Sequence, residues 1–517
     1  MELKTIQIPM NREKGHAFNQ LTLDDDVNIP ESKPDVAKVI REKGTVIVEE
    51  VKVTSGHVFL KGYVEFELLY SVEKVPGGLN NLFGKIPFGE SMVLEACEEN
   101  DDVKVKGNLE DLTITIVNSR KLSVNALLEL TAVLDDNGEE EVAITVEGEA
   151  EIRMQPVEYL RQIFKTRDTF RFKEELSLPS NKPNVARILQ NTIQIRGVET
   201  KPLDGKIEVK GEAFLFLLYE GEEEDGRIQY LETAVSFQGE VPCDQCIEGM
   251  TTDISTEVLT AEYEVKPDYD GEMRSMLVEL VLELDIRLFI EESTEILGDV
   301  YALSKNCIPK MQNTVFEKLL MKNASRCRIS DRVTLEQPKG GILQICSCEG
   351  KVTLEKTEIV TDGIITEGTV SVLLLYITGD DDCPVGASKI TLYFHHNIET
   401  AGIDHTCRFR INAELGQLSA SMIDAAQAEI KATIHLNAIV YEENRVQTIT
   451  EIQEQELDMD QIQERAGIIG YIAAAGDQLW NIAKENLTTV NRIMEVNHLN
   501  TPELREGDRI LIIKDIP

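Results

Sequence analysis

The feature that most constrains this chain is a repeat. Three ten-residue stretches, KGYVEFELLY (61–70), KGEAFLFLLY (210–219) and EGTVSVLLLY (367–376), each set a glycine eight residues before a tyrosine, and they begin 149 and 157 residues apart. In each, alternate positions are apolar: Val64, Phe66, Leu68 and Tyr70, then Ala213, Leu215, Leu217 and Tyr219, then Val370, Val372, Leu374 and Tyr376. A two-residue period is the mark of a β-strand with one face buried. The other face turns apolar only near its end, at Leu69, Leu218 and Leu375, which predicts strands covered on both sides there. Repetition at this spacing makes a whole domain the repeated unit.

The flanks support three β-rich domains. The runs TVIVEEVKV, TIQIRGVET and ILQICSCEGKVTLEKTEIV precede the three strands, with turn glycines at Gly56, Gly205 and Gly363, so a hairpin feeds each one. The first two copies also share a proline motif, IPESKPDVAKVI (29–40) and LPSNKPNVARIL (178–189), of which the third keeps only LEQPKGGIL. Proline fixes its own φ and biases the preceding residue towards extended backbone, which predicts an ordered structural corner leading into a short helical turn. Alternating runs SRKLSVNALLELTAV, EMRSMLVELVLELDI and DAAQAEIKATIHLNAI read as return strands. Between copies, YLRQIFKTRDTF (159–170) and MQNTVFEKLLMKNASRC (311–327) read as short helices or linkers. The expected β domains are 1–165, 166–315 and 316–455, followed by an acidic, solvated linker at 456–468.

Residues 469–517 follow different rules. They divide into a short strand, two helices and a closing strand carrying Ile510 and Ile512. Asp477 is predicted to cap the first helix, whose Leu479, Ile482 and Ala483 have helical spacing, and Thr488 or Thr489 the second. The segment resembles a LysM module: Tyr471 stands five residues before Gly476-Asp477, LWNIA follows, Asn497 ends the second helix, and Gly507 opens the last strand. The resemblance implies a βααβ fold and a shallow groove for N-acetylglucosamine-containing glycans. Carried over by position, that groove would comprise Gly476, Asp477, Gln478, Leu479 and Trp480 on one side and Asn497, Leu499 and Leu504 on the other. Gln478 stands where the family commonly has threonine, so a longer amide replaces a hydroxyl at the groove edge. Trp480, the only tryptophan, has two readings, as packing for the small core or as an interface residue.

Composition narrows the partners. A formal charge of −40 repels phosphate backbones and anionic lipid, which argues against nucleic acid as a direct partner. No stretch reaches the roughly 18 apolar residues that span a bilayer, so direct membrane insertion is not expected. The first residues, MELKTIQIPMNREKGHAFNQ, lack the apolar core of a secretory signal, and nine unevenly spread cysteines suit reduced thiols in a cytoplasm. No convergent catalytic constellation stands out, so neither an enzyme nor a cofactor is expected. The pair Cys243 and Cys246 has dithiol spacing, and His395, His396, His405 and Cys407 gather near one loop. Both patterns are weak metal signals, and the histidines read equally as solvent-facing residues on an edge. The carboxylates of GEEEDG (221–226) and TGDDDC (378–383) read as solvated hairpin tips.

Triplicated β domains with the KPD and G…LLY motifs, closed by one LysM module, resemble the SipL family of spore morphogenesis proteins, whose repeated part is the SPOCS domain. That resemblance implies a non-catalytic scaffold made in the mother cell of endospore-forming Firmicutes. Such a scaffold would lie in the mother-cell cytoplasm at the forespore surface and bind a coat morphogenetic ATPase and other spore coat proteins. Peptidoglycan is the alternative partner, with LysM as a cell-wall or cortex anchor.

Overall fold

The computed structural model of the protein describes residues 1–514 except 11, 100, 137, 223–227, 336–339 and 458–465. Most of the expected linker at 456–468, most of the GEEEDG tip and part of LEQPKGGIL therefore lie outside the described residues, and the linker's last position, Ile468, opens a strand.

The three repeats are three β-sandwiches, each with two three-stranded antiparallel sheets. In the first unit one sheet orders β3 (Val36–Thr54), β4 (His57–Val72) and β5 (Leu79–Val93). The facing sheet orders β2 (Arg12–Asn28), β7 (Lys121–Asp136) and β6 (Val103–Asn118). The second unit repeats this with β10 (Val185–Leu203), β11 (Lys206–Gly221) and β12 (Ile228–Pro242) against β9 (Glu151–Ser177), β14 (Met273–Tyr301) and β13 (Thr251–Pro267). The third has β16 (Ile342–Val360), β17 (Gly363–Thr378) and β18 (Val385–Glu399) against β15 (Asn306–Thr334), β20 (Gln427–Gln455) and β19 (Arg408–Met422). The motif strands β4, β11 and β17 are the central strands, which is why their alternating face is so apolar. Their glycine has a packing cause. Gly62, Gly211 and Gly368 lie opposite Phe88, Phe237 and Phe394 on the next strand, and a Cβ there would meet the ring at 3.0, 2.5 and 2.8 Å.

The segments read as short helices or linkers between copies are strands. Leu160, Ile163 and Phe164 have helical spacing, but β9 pairs with β14 from Glu151 opposite Tyr301 to Ser177 opposite Ser275, and this ladder takes the backbone hydrogen bonds. Residues 311–327 lie likewise inside β15, along β20. Positions 165 and 315 thus fall within strands. The proline corner also lacks its expected helical turn and passes from a tight turn directly into β3 or β10. It is held from within. Tyr70 and Tyr219 donate to the Pro34 and Pro183 carbonyls at 3.1 Å, while Arg120 and Arg274 bridge the corner carbonyls Ile29, Pro30 and Lys33, or Leu178, Pro179 and Lys182. In the third unit Ala426 takes the place of that arginine, and Tyr376 turns to the Ala387 carbonyl at 3.4 Å.

The units close into a ring in which β5 meets β10, β12 meets β16 and β18 meets β3. Each unit offers one edge to the next, a heterologous contact that closes after three steps. At the centre, Leu69, Leu218 and Leu375 pack together, joined by Leu79, Ile228 and Val385 and by Ile40, Leu189 and Cys346. The last three are the extra residue of a β-bulge at the same point in β3, β10 and β16. A bulge re-aims its side chain, here to the ring centre. This contact explains the apolar second face at the end of the motif strands.

Beside the apolar hub lies a charged one. Lys43, Thr192 and Glu349 occupy one repeat position, opposite Glu67, Phe216 and Leu373. Glu349 accepts from Arg41 at 2.8 Å and Thr192 at 2.7 Å, and lies 3.7 Å from Lys43. Burial pushes the Glu67 carboxyl up to about 7 despite the pull of Arg41 and Lys43. A second knot joins the units through Asp135 of β7, with Arg287 of β14 at 2.7 Å and Arg410 of β19 at 3.4 Å.

Beyond the sandwiches, three ribbons continue as a stalk: β1 (Glu2–Pro9) with β8 (Glu139–Glu147), and the far ends of β9 with β14 and of β15 with β20. Its core mixes all three units, with Ile8, Val142, Val157, Ile296 and Phe316 in one layer and Ala143, Leu297, Val300, Cys307 and Ile449 in the next.

Candidate binding groove of the C-terminal module

The last module comprises β21 (Ile468–Ile472), α1 (Leu479–Glu485), α2 (Val490–Asn497) and β22 (Arg509–Ile513), with β21 and β22 antiparallel. Leu479, Ile482, Ala483, Ile493, Ile510 and Ile512 form its core. Thr489 caps α2, accepting from the Arg492 N–H at 3.1 Å. Asp477 does not cap α1, whose N-cap is Gln478 with no side-chain bond to the helix. The Asp477 carboxylate instead accepts from the Tyr471 hydroxyl and the Ala474 N–H, both at 2.8 Å, and so fixes the turn at Gly476, where φ is +90°. The aspartate serves the loop because its oxygen reaches back across the glycine turn rather than forward to the helix.

This core is completed from outside the module. Tyr301, at the end of β14, is buried in it and donates to the Thr488 carbonyl at 2.9 Å. Its ring meets Trp480 edge-on, with centroids 4.9 Å apart. Two residues earlier, Asp299 accepts from Trp480 Nε1 and Lys484 Nζ, both at 2.7 Å. Burial alone would raise the Asp299 carboxyl, but these two donors outweigh it and hold it below the ordinary aspartate range. A bulge between Leu297 and Asp299 directs the carboxylate to the module, with Gly298 as the extra residue. The module is thus seated on the stalk through one carboxylate, one tyrosine and the sole tryptophan.

On the exposed side lies a groove of about 420 Å³, lined by Asp477, Gln478, Leu479, Trp480, Val490, Pro502, Glu503 and Leu504, with Arg153 from β9. Arg153 donates to Gln478 Oε1 at 3.0 Å, and its guanidinium carbon is 5.7 Å from the Trp480 ring centroid. Five of the eight expected groove residues thus come together, namely Asp477, Gln478, Leu479, Trp480 and Leu504. Gly476, Asn497 and Leu499 do not line it. Asn497 spends its amide on β22, donating to the Leu511 carbonyl at 2.7 Å and accepting from the Leu511 N–H at 2.6 Å. Leu499 packs against the module core. Trp480 packs against the module core, gives its indole N–H to the seat and lines the groove with its ring. Arg153, Asp299 and Tyr301 went unmarked in the sequence, more than 170 residues from their partners. Gly298 was the available signal, since a glycine interrupting a long alternating run marks a bulge.

The other candidate clusters have packing roles. Cys243 and Cys246 occupy the places of Leu94 and Cys97 in a turn that closes on Gly205 as theirs closes on Gly56. Both are buried in the second unit's core, and burial raises their thiols. Cys407 is buried in the third unit's core, His405 is exposed, and His395 lies 3.9 Å from Glu367 on the neighbouring strand. Among the described residues no group of three or more His, Cys, Asp or Glu side chains is placed to hold a metal ion, and no helix is long and apolar enough to cross a membrane.

Comparison with protein families gives two matches. The family described as SipL, SPOCS domain, matches residues 35–117, 184–266 and 341–423, one segment in each sandwich, and the LysM domain family matches 471–512. No curated protein and no solved structure matches the chain. SPOCS and LysM are families of non-enzymatic binding domains, and their presence fits a sporulation or cell-wall-binding role. With three SPOCS domains closed into a ring and one LysM domain seated on their stalk, the chain belongs to the SipL-type proteins.

Proposed function

We propose that the chain is a non-catalytic scaffold of endospore coat assembly, docking a coat morphogenetic ATPase and other coat proteins at the forespore surface, on the mother-cell side. The LysM groove and the outward faces of the SPOCS sandwiches are the docking surfaces. The observation that carries this reading is the seat on Asp299 and Tyr301, which presents the groove in a fixed orientation to a large β body. A rigid platform with several faces suits simultaneous engagement of partners better than a module on a free tether. The test is capture of coat proteins by purified full-length protein, with Leu504→Asp as the groove variant. Specific recovery of the ATPase, lost in the variant, is expected. Recovery of no coat protein by correctly folded wild type overturns the proposal.

A second reading is supported by the groove itself. Its volume lies in the range of roughly 300–1,000 Å³ typical of small-ligand sites, and an apolar wall beside the Gln478 amide suits an N-acetylated sugar. On this reading the module binds peptidoglycan, and sedimentation with purified peptidoglycan tests it.

A further inference from the structure

The groove is not built by the LysM module alone. Arg153 and Asp299 are opposite residues on the paired strands β9 and β14. Both therefore point from the same face of the ribbon towards the module. They do different work. The Asp299 oxygens are taken by Trp480 and Lys484, so this carboxylate does not pair with the guanidinium beside it. Among the described residues Arg153 has no carboxylate partner, and Gln478 takes one of its five N–H donors. Arg153 is exposed and, among the described residues, is the one basic residue that lines the groove. It supplies what the LysM wall lacks, because the charged residues that the module itself brings to the groove, Asp477 and Glu503, are acidic.

We infer that the groove is a two-domain site selective for an acidic glycan, in which Arg153 meets the carboxylate of a sugar acid while Gln478, Leu479, Trp480 and Leu504 receive the neighbouring N-acetylated ring. This rests on the glycan reading above and adds the ligand's charge to it. A muramic acid residue free of its stem peptide, next to N-acetylglucosamine, has this chemistry, a lactyl carboxylate beside a flat pyranose face. A planar guanidinium matches a carboxylate in bidentate fashion, and an apolar wall at its side strengthens the pair by excluding water. Asp299 is a positioning residue of this site, because the seat that it makes brings the LysM wall to Arg153.

Trp480 is the only tryptophan and lines the groove, so its emission reports occupancy directly. The experiment titrates the full chain with two tetrasaccharides, the neutral N-acetylglucosamine tetramer and the alternating N-acetylglucosamine–N-acetylmuramic acid tetramer, following Trp480 emission and, independently, heat. Wild type is expected to bind the acidic tetramer about tenfold more tightly at low salt, as one charge-assisted pair provides, with the preference shrinking as salt rises. Arg153→Gln should bind both tetramers at the neutral tetramer's affinity, and Arg153→Lys should keep part of the preference. Arg153 is exposed, so neither variant disturbs the core. Equal affinity of wild type for the two glycans, or a preference that survives Arg153→Gln, overturns the inference and leaves the glycan reading standing. Binding of neither tetramer overturns both.

Discussion

The SPOCS units meet through nine apolar positions around a common centre, with charged contacts beside them, whereas the LysM module meets them through Asp299, Tyr301 and Arg153 at the ends of two strands. Leu69, Leu218 and Leu375 are buried on faces that would be bare in an isolated unit, so the ring is part of the fold itself. The module brings its own core and borrows Tyr301 and Asp299, and it would keep most of its contacts if it left. The ring resembles an obligate interface, and the seat is the smaller of the two contacts.

Leu218→Ala should have the largest effect, about 3 kcal/mol in chemical denaturation, with Leu69→Ala and Leu375→Ala close to it. Tolerance in one unit alone would break the equivalence of the three. Next, Asp299→Ala leaves Lys484 and the Trp480 indole N–H without their partner and should weaken the seat by about 2 kcal/mol. The expected signature is red-shifted Trp480 emission and a more extended particle in small-angle scattering, with denaturation of the β body unchanged. Acid should act in the same way. The Asp299 carboxyl is held below its ordinary 3.8, so its contribution is complete above that pH and is lost as pH falls below it. Emission that stays unshifted through the acid range would show that Tyr301 alone holds the module.

The ring should answer to pH in the opposite direction. A folded Glu67 keeps its proton up to about pH 7, whereas an unfolded glutamate releases it near 4.5, so stability falls as pH rises between the two, by at most about 1.4 kcal/mol per pH unit. Glu67→Gln should flatten that slope, and an unchanged slope would assign the dependence elsewhere. The smallest effect compares corners within the ring. Tyr219→Phe should cost about 1 kcal/mol through its bond to the Pro183 carbonyl. Tyr376→Phe, which loses a longer bond to Ala387, should cost less.

Much of the β architecture was legible because alternation reports burial directly. The end of that face at Leu69, Leu218 and Leu375 even foretold two-sided cover. Its neighbours were hidden because bulges at Ile40, Leu189 and Cys346 interrupt the two-residue period where the units touch. Leu160, Ile163 and Phe164 imitate a helix for a related reason, since β9 crosses there from the sandwich core to the junction with the third unit, and its buried side changes. In the groove, local loop chemistry identified one wall. The other wall is Arg153, whose place depends on a contact across 325 residues that no local pattern encodes.

The position shared by Lys43, Thr192 and Glu349 shows what tandem fusion permits. Three identical chains around an axis would present three lysines or three glutamates there, and like charges would oppose closure. One chain carrying three separately evolving copies can set a cation, a hydroxyl and an anion at the same place and turn self-repulsion into attraction. The same freedom lets one strand end of three carry the Asp299–Tyr301 seat. A threefold body can thereby hold a single LysM module and acquire a direction that a symmetric trimer lacks.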